Sequence, residues 1–425
     1  MPSELHDSQT SWRLSLEEHF YVAIIVIGFC GLATQKLIHY PMALMAIGGI
    51  VVLTVRAGRM YRSSEFLLPY LFCLVWLPMC LGTIHAANMS HSLATTLTYL
   101  HFLPASYFII YVCAIPRVCF WVEKWVFYLV VVVILDALLQ FFSGFNLLGY
   151  PYDVDANADN VEILTGIFYP KERLGLILAG LFPVIFYIAA KARLKMFYFV
   201  TLAPAYFFVL LMTFKRSAWV MFLAGIALLF VFFIFRHGKL KISTGIKYSS
   251  FLVVVIGIGF VSSPMFPDRL SKNIGFFSGD IERVDIASNH RISLWRTGLE
   301  IFKENPLLGI GPRGFRHVYT EYADANDYWL QDGRRGQTHP HSNVVEILIE
   351  TGVLGLVGYL AFYAYFLHQF FRQKCLSRSL VWSLTVLVVW CPLNTHLAFY
   401  GSYWSSFAWM LVAISLASFR VDSRQ

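Results

Sequence analysis

Apolar residues in this chain run in long blocks, not in strict alternation or narrow stripes. The blocks lie at about 19–35, 41–55, 66–83, 94–114, 122–142 and 174–190, then at about 196–213, 218–235, 249–263, 352–371, 379–393 and 397–418. An α-helix needs about 20 mainly apolar residues to cross the hydrocarbon core of a bilayer, and it satisfies all its backbone polar groups internally. The pattern therefore predicts an all-α integral membrane protein with about twelve transmembrane helices. The first 18 residues are polar and include Glu4, Asp7, Glu17 and Glu18, so the first span reads as an uncleaved anchor. The whole chain, 1–425, reads as a single polytopic domain. A large hydrophilic loop, 263–342, is inserted between spans nine and ten. Within it Ile292, Trp295, Leu299 and Phe302 recur at helical spacing and predict an amphipathic helix that Asn305-Pro306 stops.

Charge position adds an orientation. Lys and Arg cluster in one set of loops, as in Arg56, Arg59 and Arg62, in Lys191, Arg193 and Lys195, in Arg236, Lys239, Lys241 and Lys247, and in Arg372, Lys374 and Arg378. The short loops of the other set hold Lys36, Lys171, Arg173, Lys215 and Arg216. Cytoplasmic loops are the Lys/Arg-rich ones, and long loops cross largely regardless of charge. Both termini are thus expected in the cytoplasm and 263–342 on the outer, periplasmic side.

Composition narrows the function. Of 425 residues 58% are hydrophobic and only 14% charged, against roughly 45–50% and 25% in soluble domains. That excludes a disordered chain, a nucleic-acid-binding domain and an ordinary cytosolic enzyme. The seven cysteines lie in or beside apolar runs without a CxxC pair, which suggests neither a zinc site nor a disulfide framework. GxxxxGK[ST], HExxH and GxSxG are missing, so no nucleotide, no metal and no cofactor is implied. The acidic run Asp153, Asp155, Asn157, Asp159 begins like a calcium loop, but Ala158 and Leu164 stand where that loop needs Gly and Glu.

Candidate chemistry gathers on the outer face. Lys215 and Arg216 precede span eight, and Lys171 and Arg173 precede span six. Arg291 opens the amphipathic helix, and His341 stands just before span ten with His339 two residues earlier. Guanidinium forks suit phosphate, and imidazole suits proton transfer near neutral pH. Plainer roles are open to the same residues. Arg216 fits a helix-end cation reaching headgroups, Arg291 a solvated partner of Asp285 or Glu300, and His341 a cap on the helix that follows. Glu346 and Glu350 share one helix face, which reads as solvated. Asp136 reads as the main buried acid. A twelve-span transporter is the rival of a different class, but transporters keep ionisable sites near the midplane.

The segment HPHSNVVEILIETGVLGL (339–356) resembles the signature of the O-antigen ligase (WaaL) family, H-[NSQ]-x9-G-x-x-G-[TVS], through His341, Ser342, Gly352 and Gly355. Leu356 departs from it at the final position. HRISLWRTGLEIFKENPLLGIGPRGF (290–315), TGIFYPKERLG (165–175) and Lys215-Arg216-Ser217 are similar to further landmarks of that family. The resemblance implies a glycosyltransferase of GT-C architecture in the bacterial inner membrane. It would move a polysaccharide from an undecaprenyl-diphosphate-linked donor to a sugar hydroxyl of a lipid A-core acceptor, with inversion and without metal. It implies His341 as the catalytic base and Arg216 and Arg291 as the donor diphosphate site, and Lys171, Arg173, Lys215 and His339 on the same face are candidates for secondary contact. A Wzy-type polymerase and a protein O-oligosaccharyltransferase share the donor and stay open. Gly352, Gly355 and Gly358 are expected to permit close approach of a neighbouring helix or lipid.

Overall fold

The computed structural model describes residues 13–56, 67–152, 163–237, 278–395 and 397–422. The expected ninth span, 249–263, and the acidic run at 153–159 lie outside them. Among the described residues the chain is helical, with no strand beyond one isolated bridge, Phe145 to Pro151. Its α-helices are α1 (Leu16–Gly31), α2 (His39–Arg56), α3 (Leu67–Thr83), α4 (Met89–Tyr99), α5 (Phe102–Cys113), α6 (Pro116–Ser143), α7 (Leu174–Lys191) and α8 (Lys195–Met212). They continue with α9 (Arg216–His237), α10 (Ile281–Ala287), α11 (Arg291–Glu304), α12 (Phe315–Tyr322), α13 (Asn343–Arg372), α14 (Arg378–Val389) and α15 (Ser402–Asp422).

Every apolar block within the described residues coincides with helix. Seven helical stretches there are long and apolar enough to cross a membrane, taking α4 and α5 together, and 39–55, 67–83 and 378–389 form shorter apolar helices. The protein is thus a multi-pass membrane protein, helical throughout the elements of its described residues apart from that bridge. α15 is the most enclosed of its long helices, packed between α14 and α5. Its serines satisfy themselves on backbone carbonyls, as Ser406 Oγ does on Ser402 O at 2.8 Å.

Three readings of buried and exposed positions need correction. Asp136 is buried and accepts from the Leu147 N–H at 3.0 Å, but Glu123, Glu346 and Glu350 are buried as well. Glu123 is held by Arg378 Nε at 2.7 Å and Trp382 Nε1 at 2.9 Å. Glu346 and Glu350 are fully enclosed, not a solvated face. The amphipathic helix is present as α11 and ends at Asn305 as expected, but its buried stripe is Leu294, Thr297, Gly298 and Ile301. Leu299 faces outward. The stripe is shifted because α11 packs against α13 and not on a flat surface. Leu294, Ile301, Ile310, Phe315, Tyr319 and Ile349 form a second small core beneath the loop.

One break in α13 organises that core. Gly352 has φ 67° and ψ −166°, a backbone region open essentially to glycine alone. The break frees backbone groups, and the Pro306–Ile310 turn takes them up. Val353 N–H donates to Pro306 O at 2.8 Å, Leu354 N–H to Leu307 O at 3.3 Å, and Ile310 N–H to Ile349 O at 3.0 Å. A Cβ on Gly352 would stand 2.2 Å from Leu307 O, and one on Gly358 2.0 Å from Leu74 O of α3. The close approach expected of these glycines is real at both positions. Gly355 instead faces Thr351 of its own helix.

Candidate functional site

Three helices begin at the residues that carry the sequence motifs, and each is entered through a left-handed residue. Phe214 (φ 48°) precedes α9, whose first residue is Arg216. Asn289 and His290 (φ 58° and 55°) precede α11, whose first residue is Arg291. His341 itself has φ 50° and precedes Ser342, the N-cap of α13, whose side chain accepts from Val345 N–H. The cap is therefore Ser342. Left-handed non-glycine residues are uncommon and cluster where function over-determines the backbone.

These starts are tied together. Arg216 donates to Ala287 O and, at 2.8 Å, to Asn289 Oδ1. Asp285 caps α11 by accepting from Ile292 N–H at 2.8 Å and from Ser293 Oγ at 2.7 Å. Arg291 Nη1 donates to Thr395 Oγ1 at 2.8 Å. Trp295 Nε1 donates to Pro340 O at 3.0 Å, which fixes the peptide between His339 and His341. Asn343 N–H donates to Asn394 O at 3.1 Å.

The electrostatics of Arg216 and Arg291 run against ordinary helix design. A helix N-terminus carries about half a positive charge, so a cation there is disfavoured and an anion favoured. Burial, and after it the neighbouring charge of Arg216, push the Arg291 guanidinium down to about 10. Two guanidinium groups held close at two N-termini form a place where an anion would relieve the repulsion.

A cavity of about 720 Å³ opens at the entrance to α13. Lys171, Arg173, Arg313, His339 and His341 line it, together with His91, His101, Tyr99, Tyr400 and Tyr403. The rings of His339 and His341 lie 4.0 Å apart between centroids. Arg173 stacks on Tyr403 at 3.8 Å and donates to Gln35 Oε1 at 3.1 Å. Lys215 pairs with Glu172, another lining residue. The structure thus gathers Lys171, Arg173, His339 and His341 around one space. Arg216 and Arg291 are not among its lining residues; Arg291 bonds Thr395, two positions before the lining residue Leu397. Among the described residues no group of three or more His, Cys, Asp or Glu side chains could hold a metal ion.

Sequence reasoning missed Arg313 and the aromatic wall, and it took the buried Glu346 and Glu350 for a solvated face. Arg313 was visible as the one cation within the glycine-rich turn GIGPRGF. Nothing local marks the two glutamates as buried, because their spacing is that of an exposed helix face.

A helical membrane protein with a cationic, histidine-bearing cavity has the groups to hold an anion and move a proton in one place. Residues 197–360 match a family model described as O-antigen ligase. The match contains Arg216, Arg291, Arg313 and His341. A second similarity is to a Rickettsia conorii (strain ATCC VR-613 / Malish 7) protein named "Putative polysaccharide ligase", 28% identical over 80 residues. That stretch is 19% of this chain, and the chain spans only about a fifth of the length of that relative. Together these support a function of the polysaccharide ligase or polymerase type.

Proposed function

We propose that this chain is an O-antigen ligase. It transfers a polysaccharide from undecaprenyl diphosphate to a sugar hydroxyl of lipid A-core on the periplasmic face of the inner membrane, with both its termini in the cytoplasm. The observation that carries the reading is that Arg216, Arg291 and His341 stand at three helix starts tied together by hydrogen bonds, with His341 lining the cationic cavity.

The chemistry follows from those groups. The acceptor hydroxyl attacks the anomeric carbon, and the bond from that carbon to the diphosphate oxygen breaks on the opposite side, with inversion. The hydroxyl proton passes to a ring nitrogen of His341. Undecaprenyl diphosphate leaves with the bonding pair, and Arg216 and Arg291 stabilise the charge that develops on it. One well-placed donor is worth roughly 3–4 kcal/mol in a site poor in water. The donor is already activated, so the reaction requires neither nucleotide nor metal.

Reconstitution of purified protein with lipid-linked O-antigen and lipid A-core, in chelator and without nucleotide, tests the reading. Laddered lipopolysaccharide is the expected product. A longer lipid-linked glycan in its place would reassign the chain as a polymerase.

Arg291 adds a pH signature. Burial, and after it the charge of Arg216, push its guanidinium down to about 10, and a bound diphosphate raises that value by charge attraction. Donor binding is then undiminished below pH 10, weakens as pH climbs through 10, and takes up protons in that range. Calorimetry of undecaprenyl diphosphate binding in two buffers of different ionisation enthalpy checks this. Affinity that is flat from pH 8 to 10.5, with no proton uptake, would remove Arg291 from the diphosphate.

A further inference from the structure

The cavity wall carries a cation that neither the family signature nor the sequence motifs single out. Arg313 sits in the turn after Gly311 with φ 62°. Its backbone N–H donates to Glu350 Oε2 at 2.6 Å. Its Nη1 lies 4.0 Å from Glu346 Oε1, near enough for charge attraction but beyond hydrogen-bond reach. Nη1 is buried and makes no hydrogen bond. Glu346 meanwhile accepts from the Phe399 N–H at 3.1 Å and the Tyr400 N–H at 3.4 Å. One buried carboxylate therefore holds the backbone of Arg313. The other holds the opposite wall of the cavity and faces the guanidinium.

An arginine in a left-handed turn with a desolvated, unbonded fork nitrogen is a costly arrangement. Such a group is completed by an acceptor with several oxygens. Arg313 lines the same cavity as Lys171, Arg173 and His341. Guanidinium prefers bidentate contact with phosphoryl oxygens.

We propose that Arg313 is a substrate-binding residue that takes a phosphoryl group in the cavity beside His341, held in place by Glu350 at its backbone and Glu346 at its side chain. This deepens the transferase reading and rests on it for the ligand class. Two substrates would bring that chemistry, the diphosphate of the polyprenyl donor and a phosphorylated sugar on the acceptor glycolipid.

The backbone provides a test that spares the fold. Glycine and asparagine both tolerate φ 62°, and both keep the N–H that Glu350 accepts. Wild type, Arg313→Gly, Arg313→Asn and Arg313→Lys are compared in nanodiscs. The probes are undecaprenyl diphosphate, phosphorylated lipid A-core, and uncharged undecaprenol as control. Each neutral variant should bind one phosphorylated probe roughly 10–100-fold more weakly, the usual worth of hydrogen bonds to a charged partner. Lysine should restore part of the loss, and undecaprenol retention should not change. The probe that weakens identifies the source. Unchanged affinity for both phosphorylated probes in the glycine or asparagine variant would overturn the proposal, as would binding of neither by wild type. Binding is read apart from turnover. Wild type that binds the probe but makes no glycolipid would sink the transferase reading and leave the role of Arg313 standing.

Discussion

Replacing His341 by asparagine is expected to lower glycan transfer by roughly 10²–10⁴-fold, the range for loss of a general acid–base group. Asparagine is the informative substitution because His341 has φ 50°, and asparagine adopts that region more readily than alanine. Trp295 would keep its bond to Pro340 O and Ser342 its cap on α13, since neither uses the imidazole. The substitution thus removes a proton acceptor and leaves the helix start intact. Steady-state rates measured over a range of acceptor concentrations are the check. A fall in kcat at unchanged KM fits a base. A rise in KM at unchanged kcat would mean that the histidine orients the acceptor. A wild-type rate would remove His341 from the reaction. Thermal unfolding of the variant in detergent should match wild type, which separates lost chemistry from lost fold.

Gly352→Ala should be the most damaging small substitution in the loop and α13, on the order of 4 kcal/mol. Two costs combine. Backbone at φ 67° and ψ −166° is open essentially to glycine, and holding another residue there costs about 1–3 kcal/mol. The added Cβ would also stand 2.2 Å from Leu307 O and 2.6 Å from Leu308 N, both backbone atoms that no side-chain rotation relieves. Relief requires the Pro306–Ile310 turn to lift away. That strands the bonds from Val353 to Pro306, from Leu354 to Leu307 and from Ile310 to Ile349, at about 1–3 kcal/mol for each buried group left unsatisfied. The turn leads directly into Arg313, so donor and acceptor handling should fail together with stability. Gly144→Ala is the control. That glycine has φ 83° at the end of α6, with nothing within 4 Å of an added Cβ. It should lose only the left-handed strain, about 1–2 kcal/mol. Comparable melting temperatures for the two variants would refute the account of the break.

How much was readable in advance follows from what kind of interaction placed each feature. The apolar blocks and the stop at Asn305 are local, set by residues a few positions apart, and the structure places helices and ends accordingly, whereas the cap of α13 is Ser342 and not the His341 that the sequence offered. Arg216 and His341 stood out as polar groups beside apolar spans, and Arg291 as the cation that opens the amphipathic helix of the loop. The phase of α11 was misread because α13, distant in sequence, chose which stripe to bury. α13 itself begins at Asn343, nine residues before the expected span, because Gly352 interrupts a helix that continues on both sides.

By itself, then, the sequence determined a helical membrane protein, the order of its apolar helices and the residues available for phosphate and proton chemistry. Each rests on hydropathy or motif spacing that neighbouring residues express without help. Only the tertiary structure decided that Lys171, Arg173, Arg313, His339 and His341 share one cavity, and that Glu346 and Glu350 are enclosed behind it. Those outcomes depend on the 306–310 turn docking into the break of α13, and on Phe399 and Tyr400 presenting N–H groups to Glu346. A buried carboxylate is tolerated only where such partners meet it, and partners that lie some fifty residues away leave no trace in local spacing.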